Sequence, residues 1–160
     1  MHRVSPLIRP LQHGALAALL LAAPALATAG EPAATQFLNS GKVMTVNLPF
    51  SEAVRHGDTL YLSGQVGLKP GTLDLVPGGI QAEARQALDN IRTILEANGR
   101  TTADLIKCTI MLADIADWRV FNEIWREYLK SPYPARSALA AGGLALGARV
   151  EIECIAAAGP

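Results

Sequence analysis

The run IQAEARQALDNIRTILEANGRTTADLIKCTIML, residues 80–112, decides the fold class because its hydrophobic period changes once, from helical to extended. Ile80, Ala84, Ala87, Leu88, Ile91, Ile94 and Leu95 fall on one stripe of a helix over Ile80–Asn98, and Gly99 stands where such a helix stops. From Leu105 to Leu112 the period drops to two. Ile106, Cys108, Ile110 and Leu112 share one face there, and Lys107, Thr109 and Met111 the other, as in a half-buried strand.

The flanks extend this alternation. Asp117 is placed to cap a second helix in which Trp118, Phe121, Trp125 and Tyr128 or Leu129 recur at helical spacing, a stripe that reads as core rather than as a ligand cage. Ser131-Pro132-Tyr133-Pro134 ends that helix, since neither proline can continue it. Residues 137–142 and 148–157 then read as two strands joined by a short turn. Upstream, residues 42–47 alternate as a strand, residues 53–55 and 59–63 flank a His56-Gly57-Asp58 hairpin turn, and Pro and Gly punctuate a loop over residues 67–79. The order predicts an α+β domain: a mixed sheet of about six strands with two helices packed on one face. Glu151, Glu153, Lys107 and Thr109 make the other face semi-polar, which points to oligomer contacts covering it.

With 160 residues, half of them hydrophobic and 18% charged, the chain has the composition of one folded domain. Its 14 basic residues balance its 14 acidic ones, so it has no long-range field for polyanions, and aromatics at 5% leave little to stack on bases. Nucleic acid is therefore not an expected partner. The first 29 residues have Arg3 and Arg9, then an apolar run from Gly14 to Leu26, then small residues at Ala25, Ala27 and Ala29, the signature of a secretory signal peptide. The apolar run is shorter than the roughly 18–20 residues of a membrane span, so no span is expected after cleavage. A flexible leader over residues 30–40 and a folded domain over 41–158 follow, in a periplasmic or secreted protein. Export admits a disulfide between Cys108 and Cys154, but both lie on apolar strand faces, and the reading favours a buried pair of free thiols. With His56 as the one histidine after the leader, a metal site has almost no support.

The chain has no Gly-rich phosphate loop, HExxH or Ser/His/Asp set. Chemistry concentrates instead in PARSALAAGGLALGARVEIE, residues 134–153. Arg136 lies there among small residues with Glu127 as the one acid within ten positions, suited to bidentate capture of a carboxylate. An intersubunit ion pair with Glu151 or Glu153 is the structural alternative. If a tight turn at residues 144–147 paired the two strands, Glu151 would share a face with Arg136 but sit roughly 13 Å along it, too far to touch within one chain.

These residues, with PFSEAV (49–54), LYLSGQVG (60–67), EARQALDNI (83–91) and FNEIW (121–125), resemble the RidA (YjgF-type) family of imine/enamine deaminases over residues 42–157. The arginine of PARS with EIE fifteen positions later is the most specific feature. The resemblance implies a homotrimer of chorismate-mutase-like subunits with sites at the subunit clefts. It implies that Arg136 clamps the carboxylate of a 2-imino or 2-enamine acid and that Glu151 positions or activates water. Phe50, Ser63, Gly64, Asn122 and Ala138 would line the pocket, with no metal or organic cofactor. Phe50 stands where active members often have tyrosine, Ala138 where they often have cysteine, and Gly143-Leu144-Ala145 replaces an Ala-Leu-Pro corner. The implied activity is hydrolysis to a 2-oxo acid and ammonia; the alternative is a non-enzymatic protein that binds small carboxylates or acts as a chaperone.

Overall fold

The computed structural model describes residues 34–45 and 48–159. Six strands, β1 (Thr35–Leu38), β2 (Ala53–His56), β3 (Thr59–Val66), β4 (Leu105–Leu112), β5 (Ala135–Ala140) and β6 (Val150–Ala157), form one sheet in the order β1-β2-β3-β6-β4-β5. Helices α1 (Gly79–Ala97) and α2 (Trp118–Tyr128) connect β3 to β4 and β4 to β5. The β4–β5 pair is parallel and the others are antiparallel. β3 and β4, both antiparallel to the β6 between them, therefore run the same way. Each helix is thus the crossover of a parallel strand–helix–strand unit. Both crossovers advance in one direction along the sheet, so a common right hand places both helices on one face.

That face is the core. Leu60 and Leu62 of β3, Cys108, Ile110 and Leu112 of β4, and Val150, Ile152 and Cys154 of β6 meet Ala84, Leu88, Ile91 and Leu95 of α1 and Phe121 and Trp125 of α2. The helical stripe and the Leu105–Leu112 strand lie where the sequence pattern puts them, although within that strand Ile106 is exposed and a register irregularity separates Leu105 from Lys107. Gly57, at a left-handed φ of 57°, turns β2 into β3.

Several expectations are corrected. The last two strands do not pair: β5 lies on the far side of β4, and the nine residues between Ala140 and Val150 carry the chain past β4 to β6. Residues 42–45 are not a strand, and Val46 and Asn47 lie outside the described residues. The edge strand β1 falls instead in the segment read as a flexible leader. Asp117 does not cap α2 through its side chain; it binds Arg149, and Asp114 caps the short turn before the helix by accepting from the Ala116 amide at 2.9 Å. Trp118 is half exposed rather than core. The signal segment lies outside the described residues.

The two cysteines form a disulfide rather than free thiols. Cys108 and Cys154 are directly opposed across β4 and β6 with Cα atoms 4.1 Å apart, the close spacing of a non-hydrogen-bonded antiparallel pair. Each side chain is small, points inward and has the other sulfur as its nearest cross-strand neighbour. The link spans 46 positions, so chain-entropy arguments give it about 4 kcal/mol at most. Urea unfolding with and without a thiol-free reductant is expected to show the reduced domain weaker by about 2–4 kcal/mol. Coincident curves, with free-thiol titration confirming reduction, would refute a stabilising cross-link.

Candidate active site

The sheet register separates Arg136 from Glu151, the two residues that the sequence singles out. Arg136 is opposite Cys108 and projects with it to the helix face, whereas Glu151 is opposite Met111, which is opposite Leu139. Three positions along β5 and two strands across put their Cα atoms about 14 Å apart. They also face opposite sides of the sheet, which corrects the shared face inferred from a hairpin. Each residue sits in its own cleft.

The first cleft, of about 410 Å³, is lined by Trp118, Asn122, Trp125, Arg126, Tyr133 and Arg136. Proline residues after α2 return the chain across the helix, so that β5 enters beside it and Arg136 reaches the α2 surface. There the guanidinium donates to Asn122 Oδ1 at 2.5 Å and stacks near the rings of Trp125 and Phe121, 5.1 and 5.8 Å from their centroids. It makes no salt bridge to a carboxylate among the described residues. Burial, helped by the nearby positive Arg126, pulls its pKa down. A half-buried cation aligned by one amide and two rings, beside a second cation, is built to receive an anion.

The second cleft, of about 360 Å³, lies where β3 ends and β6 begins, and Glu151 projects into it beside Phe50, Gly64 and Leu146. An extra residue in β3 bulges the strand between Leu62 and Gln65, at Ser63-Gly64. The bulge brings the Gly64 backbone against the Glu151 carboxyl: a Cβ built on Gly64 overlaps Oε1 and stands 2.9 Å from Cδ. Burial, and secondarily Glu153, raise the Glu151 pKa above the usual carboxylate value. Such a carboxyl is a better proton acceptor than a solvated one once ionised.

Ser63 is one position away, its hydroxyl donating to the Ser51 carbonyl at 2.7 Å, and it lines an adjoining groove with Phe50 and Leu48. Ala138, on the helix face of β5 with Arg136, packs partly buried against the core. The structure therefore gathers Phe50, Gly64 and Glu151 in one cleft with Ser63 at its border, and Arg136 with Asn122 in another. Sequence reasoning missed two cleft residues: Trp118, read with the aromatic stripe as core, and Tyr133, read only as part of the stretch that ends the second helix. It also missed buried Glu52, whose carboxylate accepts from the Ser40 and Met44 amides at 2.6 and 2.8 Å and fixes the loop walling the second cleft. Among the described residues no three His, Cys, Asp or Glu side chains gather as metal ligands.

A six-stranded mixed sheet with two helices on one face and the other face open is the α+β architecture of the chorismate-mutase-like class. A family model described as Endoribonuclease L-PSP matches residues 41–158, and the chain belongs to this family, the RidA (YjgF-type) proteins. It is 42% identical over 125 residues to the 2-iminobutanoate/2-iminopropanoate deaminase of Bos taurus, covering 78% of this chain and 91% of that one. Among solved structures, RidA from the Antarctic bacterium Psychrobacter superposes with a TM-score of 0.72 at 38% identity, covering 76% of this chain and 98% of that one. Escherichia coli TdcF with bound serine matches with a TM-score of 0.71 at 28% identity, over 76% of this chain and 98% of that one.

Gly64→Ala tests the contact on which the second cleft turns. The clash is with a movable side chain, so the fold is expected to survive with a melting temperature within a few degrees, while turnover falls at least about tenfold as Glu151 is displaced. Unchanged turnover would show that the Glu151 position is not used.

Proposed function

We propose that the protein hydrolyses reactive 2-imino and 2-enamine acids of the 2-aminoacrylate type to 2-oxo acids and ammonia. The observation that carries this reading is Arg136, held ready by Asn122 and two rings without an acidic partner among the described residues, in a chain 42% identical to an imine deaminase. An imine carbon is already electrophilic, so the protein has to hold the carboxylate and deliver water. Arg136 takes the substrate carboxylate. Glu151 accepts a proton from water as its oxygen bonds to C2, and the C=N becomes a C–N bond. That proton passes to nitrogen to give an amino group, and as the C–N bond breaks the new hydroxyl closes to a carbonyl and its proton goes to the departing nitrogen, which leaves as ammonia. An enamine first takes a proton at C3 and gives one up from nitrogen to become the imine. Neither a metal nor an organic cofactor enters this scheme.

The separation of Arg136 from Glu151 supports a site completed between subunits of a homotrimer. So does the open sheet face, where Phe37, Val54, Tyr61, Ile155 and Lys107 form one cross-strand row, and Leu139 and Met111 lie two rows along, beyond Glu153, Thr109 and Ser137. Tyr61 and Leu139 are nearly half exposed in one subunit, which a second copy would relieve. The neutral charge supports a small-molecule partner over nucleic acid. The signal-like first 29 residues and the disulfide support a periplasmic or secreted location, since both belong to oxidising compartments.

Imines generated in place by an amino-acid oxidase, with semicarbazide as competing trap, give the direct assay. Arg136→Ala is expected to lower kcat/KM about 100-fold or more, because it removes a charge-assisted double hydrogen bond. Glu151→Gln is expected to lower kcat by about 10²–10⁴ with KM nearly kept. The wild-type acid limb should lie above the ordinary carboxylate range, since the Glu151 carboxyl is raised and must lose its proton to act, and that limb should vanish in Glu151→Gln. Full turnover in either variant would remove its assigned role. No acceleration by wild type, with carboxylate binding intact, would establish the non-enzymatic reading.

Assembly has its own test. Arg136→Ala and Glu151→Gln subunits, unfolded together and refolded at equal amounts, should regain about a quarter of wild-type activity if each site takes one residue from each of two neighbours. No recovery from verified mixed trimers, or a monomer by light scattering, would place both residues' work within one chain.

A further inference from the structure

The cleft around Glu151 is far more apolar than its one carboxylate requires. Met44, Leu48, Phe50, Leu73 and Leu146 surround it, drawn from three loops that meet at the end of β3. Phe50, Leu73 and Leu146 are each about half exposed, so this is an apolar surface left open rather than a spare part of the core. Leu146 adds a second, independent observation. It is the one non-glycine among the described residues with a positive φ, 57°, a left-handed conformation that side chains with a Cβ rarely adopt. Gly147 follows it and Gly142 and Gly143 precede it, so a residue without that steric cost is common in this loop. A leucine kept in a glycine conformation, with its side chain on the cleft wall, marks a position where the apolar side chain serves a purpose.

We infer that this chamber binds the side chain of the substrate, and that the protein prefers 2-imino acids with large apolar side chains, such as the leucine- or phenylalanine-derived imines, over the three- and four-carbon kinds. The inference rests on the deaminase reading above. With the carboxylate on Arg136 of a second copy and C2 beside Glu151, the remaining substituent on C2 points into the chamber. A methyl group leaves most of the roughly 360 Å³ unfilled. A branched or aromatic group fills it and displaces water from apolar walls, and each added methylene in such a pocket is worth about tenfold or more in kcat/KM. Leu146 and Leu73, on opposite loops, are the specificity-determining positions.

The test uses the oxidase-coupled assay on the full mature protein with leucine, phenylalanine and alanine as imine sources, together with Leu146→Gly and Leu73→Ser. Wild type is expected to favour the leucine-derived over the alanine-derived imine at least about tenfold in kcat/KM. Leu146→Gly should keep or raise the melting temperature, because glycine accepts the backbone conformation, while the leucine-to-alanine preference falls about tenfold. Leu73→Ser, on a separate loop, should lower the same ratio. Equal rates or a preference for the alanine-derived imine overturns the inference and leaves the deaminase reading standing. If wild type hydrolyses none of the three, the deaminase reading itself fails and this inference goes with it. If Leu146→Gly dissociates the assembly and both substrates lose rate equally, Leu146 is a subunit contact and the inference is overturned.

Discussion

Strand β6 has to be paired along both edges. It is the last strand made, yet it occupies the middle of the sheet, between β3 and β4, so the β3–α1–β4 crossover cannot be completed as a continuous sheet until it inserts, and the directly paired β4–β5 unit stays detached from β3 until then. Its period-two pattern then decides the two faces together. Val150, Ile152, Cys154 and Ala156 are buried under the helices, and Glu151 and Glu153 go to the other side. A slip of one residue would bury two carboxylates and expose the cysteine, which makes the register costly to change. The Cys108–Cys154 link, at the close Cα pairing of that register, fastens the alignment that sets Glu151 against the β3 bulge.

The same topology explains why Arg136 and Glu151 are apart. Arg136 belongs to β5, the far edge strand, and faces α2; Glu151 belongs to the central strand and faces away from the helices. Bringing an arginine and a glutamate together within one subunit would let them neutralise each other. Kept on opposite faces, the guanidinium meets no carboxylate among the described residues and the carboxyl retains a raised proton affinity. Each has a smaller local penalty than a buried unpaired ion would have, because both remain partly in contact with solvent. A ligand with its own carboxylate can then supply what the arginine lacks.

Much of the fold was legible because its signals are local. The α1 stripe, the β4 alternation from Cys108 on and the Gly57 turn each depend on residues within one or two turns of chain, and their patterns agree with the packing observed. The order of the last strands was not legible. A short Gly-rich connection between two strand-like runs looks like a hairpin, and β5, composed of Ala, Ser and Leu around a single Arg with no strong alternation, does not reveal which neighbour it prefers. β1 was invisible for a related reason: Thr35, Gln36 and Phe37 are exposed on an edge, so no buried face imprints a period on them. The disulfide depends on the same non-local register. Each cysteine was placed correctly on an inward face, but only the β4–β6 alignment makes them direct partners.

For the site, the sequence resemblance brought together Arg136, Glu151, Asn122, Ser63, Gly64, Phe50 and Ala138, and the structure distributes them between two clefts with Ala138 against the core. Spacing alone had no access to that division, since it requires knowing which face each strand turns outward. Nor did helical periodicity distinguish Trp118 from Phe121 and Trp125. All three lie on one side of α2, but only the last two reach under the sheet, and Trp118 is left at the rim where the chain leaving α2 returns past it. The aromatic stripe is therefore divided between two tasks. Its inner rings build the core and, by the same contact, hold the Arg136 guanidinium; its outer ring borders the space that an anion bound there would occupy. Core and binding surface share one helix face, so a substitution at Phe121 or Trp125 reaches the arginine through packing as surely as through chemistry.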